Sequence, residues 1–155
     1  MEFFHKLYNG EKICYNANMH IRTSFKNHIK RLRQRLLGVS LPKRVTLRGV
    51  RFADRQGALA QSRNGDLLQV VHTPLKKLPH NVYVYHVSLN RILGYIEQPL
   101  AKKLVKLFGK NFCRDGKIVN RTGGPPYPYY GCVIDVYDSM EYLQSQTDFT
   151  HLHGE

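Results

Sequence analysis

Hydrophobic and polar positions alternate in short runs along most of this chain, and in three places the period lengthens. In residues 44–52, Val45 and Leu47 stand two apart with Gly49 next in the series, which predicts a strand. Residues 67–72 repeat the pattern. Residues 82–87 alternate aliphatic with aromatic or His, so one face is core and the other displays Tyr83, Tyr85 and, near its end, His86. Runs at 92–96, 117–121 and 132–137 complete six short strands, which suits a small closed barrel better than an open sheet. Asn64-Gly65 and Asn90-Arg91 read as turns. Pro74 and Pro79 bracket a loop that carries Lys76 and Lys77.

The longer period marks helices. Phe25, Ile29, Leu32 and Leu36 form one apolar stripe over residues 24–37, with Thr23 or Ser24 as cap, Gly38 as stop and Pro42 beyond. The stripe is expected to dock on the barrel. Asp54 is placed to cap a short helix carrying Ala58, Leu59 and Ala60. Pro99 opens another, with Leu100, Leu104, Leu107 and Phe108 inward, Lys102, Lys103 and Lys106 outward, and Gly109 ending it. The expected fold class is mainly β (α+β), a barrel of six strands with two short helices, preceded by a basic amphipathic helix. Residues 1–43 form a basic extension, 44–138 the barrel, and 139–155 an acidic, flexible tail. Before Thr23 the pattern is weak, apart from a short strand at Lys12-Ile13-Cys14-Tyr15.

Charge changes the picture more than bulk composition does. Twenty-four Lys and Arg against eleven Asp and Glu give a net charge of +13, an excess that fits a polyanionic partner. It is uneven: residues 1–48 hold eleven Lys/Arg and two acidic groups, whereas residues 132–155 hold five acidic groups and no Lys or Arg. The 24–37 helix carries Lys26, Lys30, Arg31, Arg33 and Arg35 without one anion, so its face offers repulsion and no internal ion pairs. Either those charges form a solvated face, or Lys30, Arg31 and Arg35 meet phosphates. Anionic membrane fits less well, because the helix lacks Trp and its apolar face is narrow. No stretch approaches the roughly 20 apolar residues of a membrane span. The Met1-Glu2-Phe3-Phe4 start is not read as a secretory signal. Three cysteines without paired spacing (Cys14, Cys113, Cys132) read as free thiols of an intracellular protein.

Binding of single strands asks for cations along a phosphate track and flat aromatic faces for unstacked bases. Ten Tyr and seven Phe supply the faces, most densely in Gly123-Gly124-Pro125-Pro126-Tyr127-Pro128-Tyr129-Tyr130. Tyr127, Tyr129 and Tyr130 either stack bases or close one end of the barrel. Catalysis finds little support. The His residues are scattered, the Asp residues show no DxD or HxH pairing, and no GxxxxGK[ST] loop exists. His151-x-His153 in the tail is a weak chelator. We therefore expect a binding module without catalytic residues, metal or cofactor.

An ordered series of short matches strengthens that expectation. Leu47-Arg48-Gly49-Val50-Arg51-Phe52 precedes Arg55-Gln56-Gly57-Ala58-Leu59, then Asn64-Gly65-Asp66-Leu67-Leu68 and Val70-Val71-His72-Thr73-Pro74. Asn81-Val82-Tyr83-Val84, Leu93-Gly94-Tyr95-Ile96, Pro99-Leu100-Ala101 and Gly131-Cys132-Val133-Ile134-Asp135-Val136 follow. From Arg48 to Asp138 the chain resembles a HIRAN domain. The resemblance implies a small OB-like barrel that binds the end of single-stranded DNA, in a family often fused to helicases or nucleases. It implies a nucleic-acid role for Arg51, Phe52, Asn81 and Tyr95, with Gln98 where the family can have a Lys and the aromatic of the late loop supplied by Tyr127, Tyr129 or Tyr130. Arg51 would meet a phosphate, Phe52 and Tyr95 would flank a base, and Asn81 would bond a base edge or sugar; alternatively Phe52 and Tyr95 are core residues. The family's Asn-Pro-Tyr-Asp loop is replaced by Lys76-Lys77-Leu78-Pro79. The aromatic and carboxylate that meet a terminal hydroxyl are thus absent, and only a small preference for a free 3′ end is expected. RNA remains a competing ligand, and a protein partner for the barrel edge or the Tyr-rich loop is the alternative from another class.

Overall fold

Eight strands and three helices follow one another as β1 (His5–Tyr8), β2 (Glu11–Cys14), α1 (Asn18–Leu37), β3 (Lys43–Thr46), α2 (Ala53–Gln61), β4 (Leu67–His72), β5 (Val82–His86), β6 (Arg91–Tyr95), α3 (Gln98–Phe108), β7 (Cys113–Gly123) and β8 (Tyr130–Val136). The computed structural model describes the backbone of residues 5–8, 11–14 and 18–138, and side-chain surroundings for 25–138. The acidic tail 139–155 and the Cys14 side chain lie outside them. The chain divides into two compact units, residues 1–38 and 39–155.

In the first unit β1 and β2 pair antiparallel, His5 with Cys14 through Tyr8 with Glu11. Helix α1 starts at Asn18, not at the Thr23 or Ser24 cap; both polar residues lie inside it. Their capping chemistry is a local preference that a longer helical run overrides. Gly38, with φ of 62°, ends the helix as expected. The four residues of the stripe are exposed, Leu36 at 85%.

The second unit is a six-stranded antiparallel sheet in the order β3-β8-β7-β4-β5-β6, curled into a half-barrel. Its two edges meet at one rung, where Arg48 and Tyr95 exchange backbone hydrogen bonds of 2.9 and 3.0 Å. Strand β7 is long enough to serve both halves. Its first residues pair with β4 and the rest with β8. Inward positions recur every second residue: Leu68, Val70 and His72 on β4, Val82, Val84 and His86 on β5, Cys132, Ile134 and Val136 on β8. Helix α3 closes the core with Ala101, Leu104, Val105 and Leu107, and α2 adds Ala58 and Leu59. Each fully buried Leu or Ile contributes roughly 1.5–3 kcal/mol by leaving water. No helix among the described residues is long and apolar enough to cross a membrane.

Four expectations change. The first strand stops at Thr46 instead of reaching residue 52, because Gly49 takes φ of 65° and turns the chain. The strand expected at 117–121 begins at Cys113. Asp54 lies in the first turn of α2, whose N-cap is Phe52 without a side-chain cap bond. His86 points inward with the valines. Its Nε2 donates to Asp66 Oδ2 at 2.8 Å, and its Nδ1 accepts from the Leu89 N–H at 3.2 Å. Two polar partners offset the cost of burying the ring. Burial pushes the Cys132 thiol up to about 12. Burial, then Asp115, also raises Cys113, so neither is a ready nucleophile.

Candidate nucleic-acid interface

The turn that interrupts the first strand carries the two residues with the clearest predicted role. A Cβ at Gly49 would collide with the Tyr95 ring and lie 2.7 Å from Arg55 Nη1, so only glycine lets the turn press against both. Arg51 and Phe52 follow on the exposed side, with Phe52 60% accessible. Phe52 is therefore no core residue. The turn is tied to the Tyr-rich loop by one side chain. Gln56 Nε2 donates to Val50 O at 2.6 Å and to Tyr130 O at 3.0 Å, while its Oε1 accepts the Tyr130 N–H at 2.8 Å.

That tie places cations on aromatic faces. Arg51 Cζ lies 5.2 Å from the Tyr129 ring centroid. Arg55 Cζ lies between two rings, 4.7 Å from Phe52 and 5.9 Å from Tyr83, with Nη1 donating to Gly49 O at 2.7 Å. Tyr95 sits opposite Tyr83 on the neighbouring strand, and Tyr85 packs edge-on to Tyr83 with centroids 6.4 Å apart. Each cation–π contact at an exposed site is worth about 0.5–1 kcal/mol, too little to fix the fold but enough to pre-set a side chain. Arg51 has no hydrogen bond or ion pair among the described residues, so all five guanidinium donors are open to a ligand.

Other arginines are committed. Arg44 pairs with Asp135 through two bonds of 2.9 and 3.0 Å, and Arg48 reaches Glu97 at 3.4 Å. Arg121 Nη1 donates to the carbonyls of Leu59, Ala60 and Ser62, neutralising the C-terminal end of α2, and its Cζ stands 4.9 Å from the Tyr130 ring.

The remaining predicted residues scatter. Tyr127 is 69% exposed at the tip of its loop, and Tyr130 is half-buried. Asn81 is only 2% exposed. Its Nδ2 donates to Thr73 O at 3.3 Å, which ties the two ends of the β4–β5 loop. Lys76 and Lys77 are exposed at the tip of a two-residue turn closed by Leu75 and Leu78, which exchange hydrogen bonds of 3.0 Å. Gln98 is half-buried in the first turn of α3. In the first unit, Arg31 and Arg35 are exposed on α1 and Lys30 is half-buried. Of the expected set, then, Arg51, Phe52, Tyr95 and Tyr129 gather around one turn.

Acid should loosen this half of the molecule. The hydrogen bond from Arg44 is the main cause that holds the Asp135 carboxyl below its usual range, with Arg44's charge helping and burial opposing. At Asp66, burial pushes up, but bonds from His86 and the Arg63 N–H outweigh it, and the net shift is downward. A depressed carboxyl adds stability above its unfolded pKa of about 3.9 and loses it as pH falls through the lower folded value. Asp135→Asn should lower the melting temperature at neutral pH, and the gap to wild type should close as pH drops below about 4. Thermal melts across that range check it; a gap that persists in acid would assign the loss to packing.

Arg55, Gln56 and Tyr83 belong to the site but were not predicted as its residues. Tyr83 had a signal in its outward position on β5. For Gln56 none exists short of the fold, since two of its three partner atoms belong to Tyr130, 74 residues away. Among the described residues no group of three or more His, Cys, Asp or Glu is placed to hold a metal ion. Comparison with protein-family models, with curated proteins and with solved structures finds no match to this chain.

Proposed function

We propose that this protein is a nucleic-acid-binding module, with single-stranded DNA or DNA with single-stranded ends as its preferred ligand and no catalytic step of its own. One observation carries the reading: two arginine–aromatic stacks meet at the 49–52 turn, with the Arg51 donors unspent. A phosphate takes the guanidinium of Arg51, and unstacked bases lie on the open faces of Phe52 and Tyr129, each worth roughly 1–3 kcal/mol. The motif order from Arg48 to Asp138 supports a HIRAN-like module, and a curled six-stranded sheet agrees with an OB-like barrel. A helicase or nuclease is the fitting partner, and an intracellular setting fits unpaired thiols.

Fluorescence anisotropy with labelled oligonucleotides tests the reading. Affinity should fall steeply as salt rises from about 50 to 200 mM, because each neutralised phosphate adds about 0.7 to the slope for a single strand. Flat or absent binding at low salt would sink the proposal. RNA of the same sequence measures what the 2′-hydroxyl costs. Ends bearing a hydroxyl or a phosphate should differ little, given Pro79 in place of the family's carboxylate. A second reading has its own observation. Pro125, Pro126, Tyr127, Pro128 and Tyr129 are all exposed, a surface that suits docking of a protein partner. In that case Tyr127→Ala abolishes partner binding while oligonucleotide binding is nil.

A further inference from the structure

A second cationic surface lies in the same unit, outside the aromatic patch. Helix α3 buries Ala101, Leu104, Val105 and Leu107, which turns Lys102, Lys103 and Lys106 to solvent. Lys110 follows in the turn, also exposed. None of these four ammonium groups has a hydrogen bond or ion pair among the described residues, and the first turn of the helix contains no acidic residue. Lys102 and Lys106 are one helical turn apart, a like-charge spacing that disfavours the helix unless an anion relieves it.

The two ends of this helix connect it to residues already described. It begins three residues after Tyr95, which forms the closing rung with Arg48 and sits beside Gly49 and Arg55. Its far end is clasped to the Lys76-Lys77 turn by His72, which is buried at the end of β4. Asn111 N–H donates to His72 Nδ1 at 2.9 Å, and His72 Nε2 lies 2.8 Å from Pro79 O. A carbonyl only accepts, so Nε2 carries the proton and one neutral imidazole holds both segments. Phe112 stacks on the same ring at 6.0 Å.

We infer that Lys102, Lys103, Lys106 and Lys110, continued by Lys76 and Lys77, form a backbone track for the single strand whose bases occupy the Arg51–Phe52 patch. The inference rests on the function proposed above and adds the length of the ligand to it. An 11-residue helix is about 16 Å long, room for roughly five phosphates at the stacked-strand spacing of about 3.4 Å. The patch reads bases over a short span, while the track takes phosphates without regard to sequence.

Two oligothymidylates separate these contributions, one of about 4 nucleotides and one of about 15, both within the range that small barrels accommodate. The variant is K102Q/K103Q/K106Q, whose positions are all exposed, so its melting temperature should match wild type. For the long strand, three lost phosphate contacts lower the slope of log affinity against log salt by about 2. For the short strand the slope should stay unchanged. Equal losses for both lengths, or no loss for either, would overturn the track. If wild type binds neither strand at low salt, the function proposed above has failed instead, and that outcome shows before any variant is made.

Discussion

Phe52→Ala is expected to weaken binding of a single-stranded oligonucleotide by roughly 5- to 150-fold, the equivalent of one stacked base at about 1–3 kcal/mol, with the melting temperature almost unmoved. The two effects separate because Phe52 projects from a turn, is 60% exposed and caps α2 through its backbone alone. Arg51→Ala should act on the same ligand in a different way. It removes a guanidinium that makes no hydrogen bond or ion pair among the described residues, so the loss appears as a lower salt slope, by about 0.7, as well as lower affinity. Surface substitutions of this kind shift stability by no more than about 0.5 kcal/mol. Phe52→Leu is the informative control, since it keeps apolar bulk and removes the flat face. Titrations at two salt concentrations beside thermal melts decide the matter. Wild-type binding by both alanine variants would move the interface elsewhere.

Gly94→Ala is expected to destabilise the barrel strongly for a change of one methyl group. A Cβ there would lie 2.6 Å from the Arg48 carbonyl oxygen and 3.2 Å from Leu47 Cβ. The oxygen is backbone and cannot swing away. It also accepts the Tyr95 N–H at 3.0 Å, so relieving the clash breaks the rung that joins the sheet edges. Overpacking costs about 1–3 kcal/mol and the lost hydrogen bond about 1 more. For a unit of this size that lowers the melting temperature by about 10 °C or more. Gly57→Ala supplies the contrast: no atom lies within 4 Å of the point where its methyl would stand, and the site is inside α2. Alanine there favours the helix by roughly 0.5–1 kcal/mol. Calorimetry on the two variants should give shifts of opposite sign; an unchanged melting point for Gly94→Ala would mean that the edges do not meet at this rung.

Six strands and three helices were legible because burial repeats with a period that composition records directly. Val82 and Val84 face the core, Tyr83 and Tyr85 the other side, as the alternation requires. What escaped was set by geometry that no period encodes. Gly49 looked like the next inward position of a strand, yet its positive φ converts Arg51 and Phe52 from strand to turn and thereby exposes them. His86 broke the alternation chemically but kept it geometrically, because Asp66 and the Leu89 N–H wait for its two nitrogens. Asn81 stood beside candidate binding residues in the chain, and in the fold it is buried with its Nδ2 donating to Thr73. Gln56 was invisible as a site residue because its importance lies in what it joins, the 49–52 turn and the loop before β8.

The position of β7 and β8 at the end of the barrel's sequence has a consequence for how the molecule is made. Strand β3 pairs along its length only with β8, Lys43 with Val136 and Thr46 with Val133. The Arg44–Asp135 pair spans 91 residues. During synthesis from the N-terminus, at about 5–20 residues per second, β3 waits for its ladder until the ribosome has delivered nearly the whole unit. The β4–β5–β6 meander can form early from local pairings, whereas the β3–β8 ladder is a late, long-range event that has to offset a large loop entropy. The nascent chain therefore carries two unpaired strand edges for several seconds, the condition under which chaperone contact matters most.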